Sequence, residues 1–325
     1  MHVAKGDPVV AAAGNIACDP TNPSFNAGRG SATACHMRAV SNLLLRAGHT
    51  RPRYATVLAL GDTQYTCGGL AAFHRSYGPT WGRVFAVTKP VVGDKDYRTT
   101  ANAPGGTGCQ APPGSANGFF SYFAALKGPD PGPTPGSGAY YSFNVPKGCR
   151  PGPRRVCWHF VALNGNCAKA QGCTPGTRQY DWLAADLSAH PNGAYGCSAA
   201  FWHWPRFSSG VHGGDPSYDA IWRLLYQRHV DVVLNAHEHV YERFAPQTPG
   251  GAPRPGGIRE FIVGTGGASH VKFPGRARAA NSQASNDRTF GILTLRLHRD
   301  GYDWRFMPEP GGRFHDASAV PTPCH

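Results

Sequence analysis

The sequence predicts an α/β protein of two packed β-sheets flanked by helices, folded as a single domain over residues 1–325. Short apolar runs alternate with segments of helical periodicity as far as Arg228, and the remaining C-terminal part contains strands only. Strand–helix alternation followed by a strand-rich end is typical of sheets that share one core. No internal repeat and no linker divides the chain.

The first half of the chain supplies three predicted strands and two predicted helices. Each strand is a short apolar run that stops at a Gly-containing turn, and each helix has apolar residues at helical spacing. The strands are 8–16, 56–60 and 85–92, and the helices are 35–47 and 70–81.

Two Gly/Pro-rich stretches, 103–118 and 128–138, are long for ordinary connections and are expected to be functional loops or disordered segments. A short helix is predicted between them at 119–125. Further strands are predicted at 139–145, 156–164, 198–204, 232–234, 258–263, 291–298 and 302–307, with helices at 177–187 and 218–228. The last two strands are joined through Asp300-Gly301, a hairpin signal.

Composition limits the class of protein. A chain of 325 residues can bury a full core, and no apolar run approaches the ~18 residues of a membrane span. The net charge is +13, but the 32 Lys and Arg residues are scattered, which argues against a dedicated nucleic-acid site. A basic protein attracts anions, so an anionic small-molecule substrate is compatible with this charge. Nothing in the sequence indicates the oligomeric state.

The ten cysteines are an even number and include no C-x-x-C pair, which favours disulfides over a zinc finger or a thiol redox site. Disulfides persist outside the cytosol, so a secreted protein is expected, with its signal peptide already removed. Two local pairs are expected, Cys18–Cys35 and Cys167–Cys173. Spacing leaves the remaining pairs open.

Polar side chains of metal-ligand type follow five of the predicted strands. Carboxylate, amide, phenol and imidazole groups suit one or two divalent or trivalent ions such as iron, zinc or manganese. Two such ions can share a bridging carboxylate and activate water for displacement at phosphorus. The candidates are Asn15, Asp62 with Tyr65, Asp94-Lys95-Asp96, His203, and His237 with His239.

The segments that carry these residues, and their order along the chain, resemble those of calcineurin-like metallophosphoesterases, in the branch similar to purple acid phosphatases. The matching segments are AAGNIACDP, LALGDTQY, VVGDKDY, FWHWPRFSSG, LNAHEHVYERFAP and IREFIVGTGG. The resemblance implies an αββα sandwich with helices on both outer faces and a site for two metals. It implies that one metal site is lined by Asn15, Asp62, Tyr65 and His239, and the other by Asp94, Asp62, His203 and His237.

The sequence departs from the family pattern where the chemistry is concentrated. Asn15 stands where Asp is usual, and Asp94-Lys95 stands where Asn-His is usual. Trp204 replaces a frequent second histidine, and Ala236 replaces a glycine. Three consequences stay open: two metals with altered affinities, a single metal at the Asp94 site, or replacement of a metal by the Lys95 ammonium. The alternative for Lys95 is a solvated loop residue with no role at the site.

Three functions are therefore compatible with the sequence. The first is a secreted metal-dependent phosphoesterase acting on a phosphorylated or other anionic small molecule, with Lys95, Asp94 and His203 in catalytic roles. The second is a non-hydrolytic enzyme on the same fold, in which Lys95 or Asp94 acts as acid or base. The third is a pseudoenzyme that binds an anion or a partner.

Overall fold

The computed structural model describes residues 6–46, 48, 51–99, 114–124, 126, 138–152, 155–275 and 277–324. These residues form two mixed β-sheets, of six and seven strands, flanked by helices, as the sequence predicts. Of the two predicted loops, residues 103–113 and 128–137 lie outside the described residues, and the end of the first loop, at Asn117, already belongs to a helix.

The six-stranded sheet has the order β13-β12-β11-β1-β2-β3. Its N-terminal strands β1, β2 and β3 are parallel, so their carboxyl ends reach the same edge. The predicted hairpin is confirmed, because β11 and β12 pair antiparallel across the Asp300-Gly301 turn. The strands are β1 Val9–Ala13, β2 Thr56–Ala59, β3 Thr88–Pro90, β11 Gly291–Leu297, β12 Gly301–Pro308 and β13 Thr322–Pro323.

The seven-stranded sheet has the order β10-β8-β9-β7-β6-β5-β4. Strands β5, β6, β7 and β9 are parallel and form its centre. Parallel strands covered on both faces are apolar along their whole length, and β6 and β7 are buried at every position. The strands are β4 Tyr141–Val145, β5 Trp158–Ala162, β6 Ser198–Phe201, β7 Val232–Asn235, β8 Tyr241–Phe244, β9 Arg259–Val263 and β10 Ser282–Asn286.

Six α-helical segments are described, together with several 3₁₀ turns: α1 Met37–Asn42, α2 Leu70–Ala72, α3 Asn117–Phe123, α4 Arg178–Ala189, α5 Asn192–Tyr195 and α6 Asp219–Gln227. Helix α2 continues as a π-helical turn over Phe73–Tyr77. The apolar faces of α4 and α6, through residues such as Leu183 and Trp222, pack against Val161 and Val233 of the seven-stranded sheet. The main core fills the space between the two sheets.

Several elements differ from the predictions. The predicted strand 85–92 begins as a 3₁₀ helix, Trp81–Val87, and only Thr88–Pro90 pairs with β2. Strands β8 and β10 were not predicted, because both carry polar side chains whose partners are distant in sequence. Among these, Glu242 accepts a hydrogen bond from the Ser209 amide and Arg243 donates one to Asp316.

Four disulfides lie within the described residues, and no described cysteine is free. The two predicted pairs, Cys18–Cys35 and Cys167–Cys173, are both present. The others are Cys149–Cys157 and Cys197–Cys324, the second joining residues 127 apart in sequence. This disulfide content is consistent with an extracellular protein. None of the described helices has both the length and the apolar character required to cross a membrane.

Candidate metal centre

The candidate ligands come from turns that follow strands of both sheets. The six-stranded sheet supplies Asn15 after β1, Asp62 and Tyr65 after β2, and Asp94 and Lys95 after β3. The seven-stranded sheet supplies His203 after β6, and His237 and His239 after β7. The structure brings all of these side chains together where the carboxyl ends of the two sets of parallel strands meet.

The turns are tight, and their backbone aims the side chains inward. Asn15, Asp62 and His237 have left-handed backbone conformations, with φ of 54°, 48° and 59°. Such values are uncommon outside glycine and occur where surrounding contacts impose them. Gly93 permits a close approach, since a Cβ there would lie 2.2 Å from both the amide nitrogen and Oδ1 of Asp62.

The first ligand group contains Asp94, His203 and His237, whose candidate ligand atoms all lie within 4.8 Å of one another. Oδ1 of Asp94 is 3.4 Å from Nε2 of His203 and 3.3 Å from Nδ1 of His237. Nδ1 of His203 donates to the carbonyl oxygen of Leu60 at 2.8 Å, which leaves Nε2 directed at the group. Backbone hydrogen bonds of this kind orient histidine ligands in metal sites.

A second group contains Tyr65 and His239 beside the other oxygen of Asp62, and the Asn15 amide donates a hydrogen bond to the carbonyl oxygen of His237 at 3.1 Å. The Tyr65 hydroxyl donates to Oδ2 of Asp62 at 2.9 Å and lies 3.1 Å from Nε2 of His239. Nδ1 of His239 faces the carbonyl of Ser269 at 2.9 Å. Since Oδ1 of Asp62 is 3.4 Å from Nε2 of His203, the Asp62 carboxylate faces both groups.

Lys95 points into the centre rather than into solvent. Its ammonium nitrogen is 2.5 Å from Oδ2 of Asp94 and 3.7 Å from Oδ2 of Asp62. Its backbone amide donates to Oδ1 of Asp62 at 2.8 Å. The side chain is 22% exposed, so a positive charge lies beside both carboxylates and remains accessible from outside.

Charge compensation shifts the pKa values of these groups. Burial lowers the pKa of His203, but the carboxylates of Asp62 and Asp94 outweigh burial and raise it to about 10. Burial raises the pKa of Asp94, but contacts with His203, His237 and Lys95 bring it well below its usual value. Burial and the neighbouring charged groups thus act on the pKa in opposite directions at both residues, and in each case the neighbouring groups have the larger effect.

Asp96, one of the candidates from the sequence, has a structural role at the centre. It is fully buried and accepts hydrogen bonds from the Gly93 amide at 2.9 Å and the Thr63 hydroxyl at 2.7 Å. These bonds tie the turn after β3 to the turn after β2. Burial, then the charge of Asp62, raise the Asp96 pKa to about 7.

A clamped loop, residues 205–215 between β6 and α6, forms one wall of the centre and was missed by the sequence reasoning. Three buried carboxylates hold it by its backbone amides. Glu260 accepts from the Arg206 amide at 3.1 Å, Glu242 from that of Ser209 at 2.9 Å, and Glu238 from that of His212 at 2.8 Å.

The clamped loop places the His212 ring 4.7 Å, between centroids, from the His237 ring. Nδ1 of His212 also lies 3.3 Å from Oε2 of Glu238. The only sequence signal was the position of Glu238 between the two histidines after β7. It could not identify a loop residue 26 positions away as its partner.

The donor set fits a metal ion. Oδ1 of Asn15 is a buried acceptor that receives no hydrogen bond from any described residue, and Oδ1 of Asp94 has no hydrogen bond of normal geometry, although two imidazole nitrogens lie 3.3 and 3.4 Å away. Buried acceptors without a partner are costly unless another group, such as a cation, satisfies them. Of the two groups, the first combines one carboxylate with two imidazoles, a set that suits zinc, iron or manganese.

Known structures share this fold at low sequence identity. A purple acid phosphatase from yellow lupin has a TM-score of 0.69 at 15% identity, with 97% of this chain and 53% of that chain covered. The Plasmodium inner membrane complex anchor GAP50 has a TM-score of 0.66 at 13% identity, covering 99% and 90%. A dimetal phosphatase from Danio rerio has a TM-score of 0.54 at 13% identity, with 98% of this chain and 100% of that chain covered.

No protein-family profile matches the sequence, and no curated protein matches it. The chain thus has the calcineurin-like metallophosphoesterase fold, as its motifs predict, and it spans about half the length of the lupin enzyme. Fold alone does not establish activity.

Proposed function

We propose that the protein is a metal-dependent phosphoester hydrolase that acts outside the cell on phosphorylated small molecules. The observation that carries this proposal is the group of Asp94, His203 and His237, with ligand atoms within 4.8 Å of one another beside the Lys95 ammonium. The disulfides support the extracellular location, and the net charge of +13 favours an anionic substrate.

In this proposal, Asp94, His203 and His237 would hold one ion together with Asp62. Asn15, Tyr65 and His239 would line a second and weaker position beside Asp62, because a neutral amide replaces a carboxylate there. Iron, zinc and manganese all suit these donors. When bound, such ions would supply Lewis acid chemistry at a phosphoryl oxygen and lower the pKa of water.

The residues of the chain supply binding and orientation. The Lys95 ammonium binds a phosphoryl oxygen as a point charge, a role that lysine performs in other phosphate sites. It does so from a fixed position, because Asp94 and Asp62 both attract it. Through its hydrogen bond to Leu60, His203 keeps Nε2 directed toward the reacting centre.

A second candidate function, an anion-binding protein without hydrolysis, is favoured by the same Lys95. An ammonium 2.5 Å from Asp94 partly neutralises the carboxylates without a metal. GAP50, which shares the fold, is described as the anchor in the inner membrane complex of Plasmodium. A non-hydrolytic enzyme would use the same residues.

The test combines elemental analysis with hydrolysis of 4-nitrophenyl phosphate. We expect at least one tightly held divalent or trivalent ion per chain, and hydrolysis that stops when the ion is removed. His237→Ala should lower metal content and melting temperature together. An ion whose free concentration is 100 times its Kd stabilises the folded state by about 2.7 kcal/mol.

The matched control is His315→Ala, which removes an exposed histidine and should change neither quantity. Protein that is metal-free, and whose melting is unaffected by a chelator, would overturn the metal-dependent proposal. Metal-loaded protein that hydrolyses no phosphate ester would favour the second candidate.

A further inference from the structure

A cavity of about 280 Å³ opens beside His237, at the edge of the candidate metal centre. Its walls are Trp204, Pro205, His212, Asp215, Pro216 and the ring of His237, and Gly213 and Gly214 contribute backbone. The volume is close to the lower end of the ~300–1,000 Å³ range typical of small-molecule pockets. It accommodates one part of a ligand whose other part reaches the metal centre.

Trp204 forms a fixed aromatic wall of this cavity. Its ring lies 5.7 Å from the His237 ring and 5.0 Å from the His203 ring, between centroids. The backbone of Gly165 supports it closely, because a Cβ at that position would lie 2.4 Å from the indole ring. A half-buried indole supported in this way is already ordered, so little conformational entropy is lost when a ligand packs on it.

Most of the other lining residues belong to the clamped loop, in which Glu260, Glu242 and Glu238 accept hydrogen bonds from the amides of Arg206, Ser209 and His212. Gly210 is required in this loop, since a Cβ at that position would lie 2.2 Å from the Glu238 carboxyl carbon. At His212, the clamp therefore holds the backbone of a residue that lines the cavity.

We propose that this cavity binds a planar aromatic ring in the alcohol half of the substrate, either a nucleobase or a plain aryl group. Indole and imidazole rings offer flat surfaces for stacking, and aromatic stacking on such surfaces is tolerant of ring type. His237 belongs to both the cavity and the first ligand group. The cavity and the centre are therefore adjacent, so that one substrate molecule can place its ring in the cavity and its phosphoryl group at the centre. The position of the phosphoryl group in this inference rests on the proposed phosphoesterase function, whereas the binding of a ring in the cavity does not.

The activity test compares two esters with similar leaving alcohols. Adenosine 5′-monophosphate and ribose 5-phosphate both release a primary alkoxide, but only the first carries a ring. The ratio of their kcat/KM values should exceed 1 for the natural protein and fall about 10-fold in Trp204→Leu. Trp204→Phe keeps a ring and should retain most of the ratio. The matched control Trp182→Leu alters a partly buried tryptophan that packs on Tyr140 and should leave the ratio unchanged.

A binding test needs neither metal nor turnover. Equilibrium dialysis of the protein with adenosine and with benzyl alcohol distinguishes a nucleobase pocket from a plain aryl pocket. Binding of either compound that is lost in Trp204→Leu and kept in Trp182→Leu supports the proposal, even if no ester is hydrolysed. Hydrolysis of both esters with an equal ratio in all variants, or binding of neither probe, overturns the aromatic pocket and leaves the phosphoesterase proposal intact.

Discussion

The ammonium nitrogen of Lys95 lies 2.5 Å from Oδ2 of Asp94, on the side of that carboxylate away from Nε2 of His203, which faces Oδ1. Asp94 therefore offers one oxygen to the histidines while the other is held by a cation of the chain itself. In the proposed metal site, an ion and Lys95 would compete for the same negative charge.

Lys95→Met tests this competition. The change removes the charge but keeps a side chain of similar length, so the carboxylates of Asp94 and Asp62 lose a competing cation. We expect metal affinity to rise at least about 10-fold, because two unit charges ~4 Å apart interact by several kcal/mol near a protein surface. Phosphate ester turnover should fall. Competition with a chelating dye measures the affinity, and Lys272→Met, at an exposed position, is the control. Equal affinities in both variants would show that Lys95 does not compete.

The triple variant Asn15→Asp, Asp94→Asn, Lys95→His restores the family pattern. The new imidazole can donate a proton near neutral pH, which lysine, with a usual pKa of ~10.4, does poorly. General acid catalysis contributes about 10²–10⁴-fold, so turnover of an aryl phosphate should rise within that range, with metal content recorded for each variant. If both metal positions fill and turnover stays at the parent level, the departures are not losses from a phosphatase.

The triple variant should also become dependent on metal for its stability. Nδ2 of Asn15 donates to the carbonyl oxygen of His237 at 3.1 Å, and a carboxylate at position 15 cannot donate. A carboxylate facing that carbonyl is repelled unless a cation lies between them.

Gly93→Ala tests the turn that brings Asp62 and Asp94 together. A Cβ at Gly93 would lie 2.2 Å from both the amide nitrogen and Oδ1 of Asp62, so the two turns must separate and the Asp62 carboxylate must shift. We expect a fall in metal content and a loss of melting temperature equivalent to about 1–3 kcal/mol. Gly275→Ala is a matched control, because a Cβ there meets nothing within 4 Å. Full metal content in Gly93→Ala would contradict the geometry of this turn.

Asp316 gives a prediction about pH. Burial raises its pKa, but hydrogen bonds from Arg243 and Tyr241 outweigh burial and lower it below the usual 3.8. A lowered carboxyl pKa contributes stability above the unfolded pKa, and this contribution is lost as the pH falls through the folded pKa. Asp316→Asn should therefore cost about 1–2 kcal/mol at pH 7 and progressively less below about pH 4. Urea unfolding at pH 7 and pH 3 measures the difference.

The control for Asp316 is Asp300→Asn, which keeps the hairpin turn because Asn-Gly suits it as well as Asp-Gly. It should show little dependence on pH. A destabilisation of Asp316→Asn that is the same at both pH values would rule out a charge-dependent contribution.

The disulfides should contribute unequally to stability. Cys197–Cys324 spans 127 residues and Cys167–Cys173 spans 6. Because closing a longer loop removes more entropy from the unfolded chain, replacing the first pair by serine should cost about 5 kcal/mol and replacing the second about 2 kcal/mol. Denaturant unfolding of the two double variants measures this. Equal losses of unfolding free energy in the two double variants would contradict the loop-length argument. Separately, thiol titration of the unfolded, unreduced protein should find few free thiols.

The sequence was sufficient to predict the two-sheet fold, because most strands are apolar runs long enough to cross a buried sheet. It also identified the ligand-type residues, since each follows a strand. It could not predict β8, where Glu242 and Arg243 are satisfied by Ser209 and Asp316 from other parts of the chain. A charged strand of this kind is recognisable only once its distant partners are known.

The sequence also could not predict the direction in which the Lys95 side chain points. A lysine side chain reaches solvent from most loop positions, and only the placement of two carboxylates within 3.7 Å draws it inward. The clamped loop depends on three contacts across 26 to 54 residues. Local patterns carry no information about contacts of that range.

The candidate ligands are divided between the two sheets, with Asp62 and Asp94 on one and His203 and His237 on the other. Sliding of one sheet over the other by even a fraction of an ångström would pull the carboxylates away from the imidazoles. In the proposed metal site, the two sheets must therefore keep their relative position, and shear between layers, a motion that some enzymes use on binding substrate, would separate the ligands.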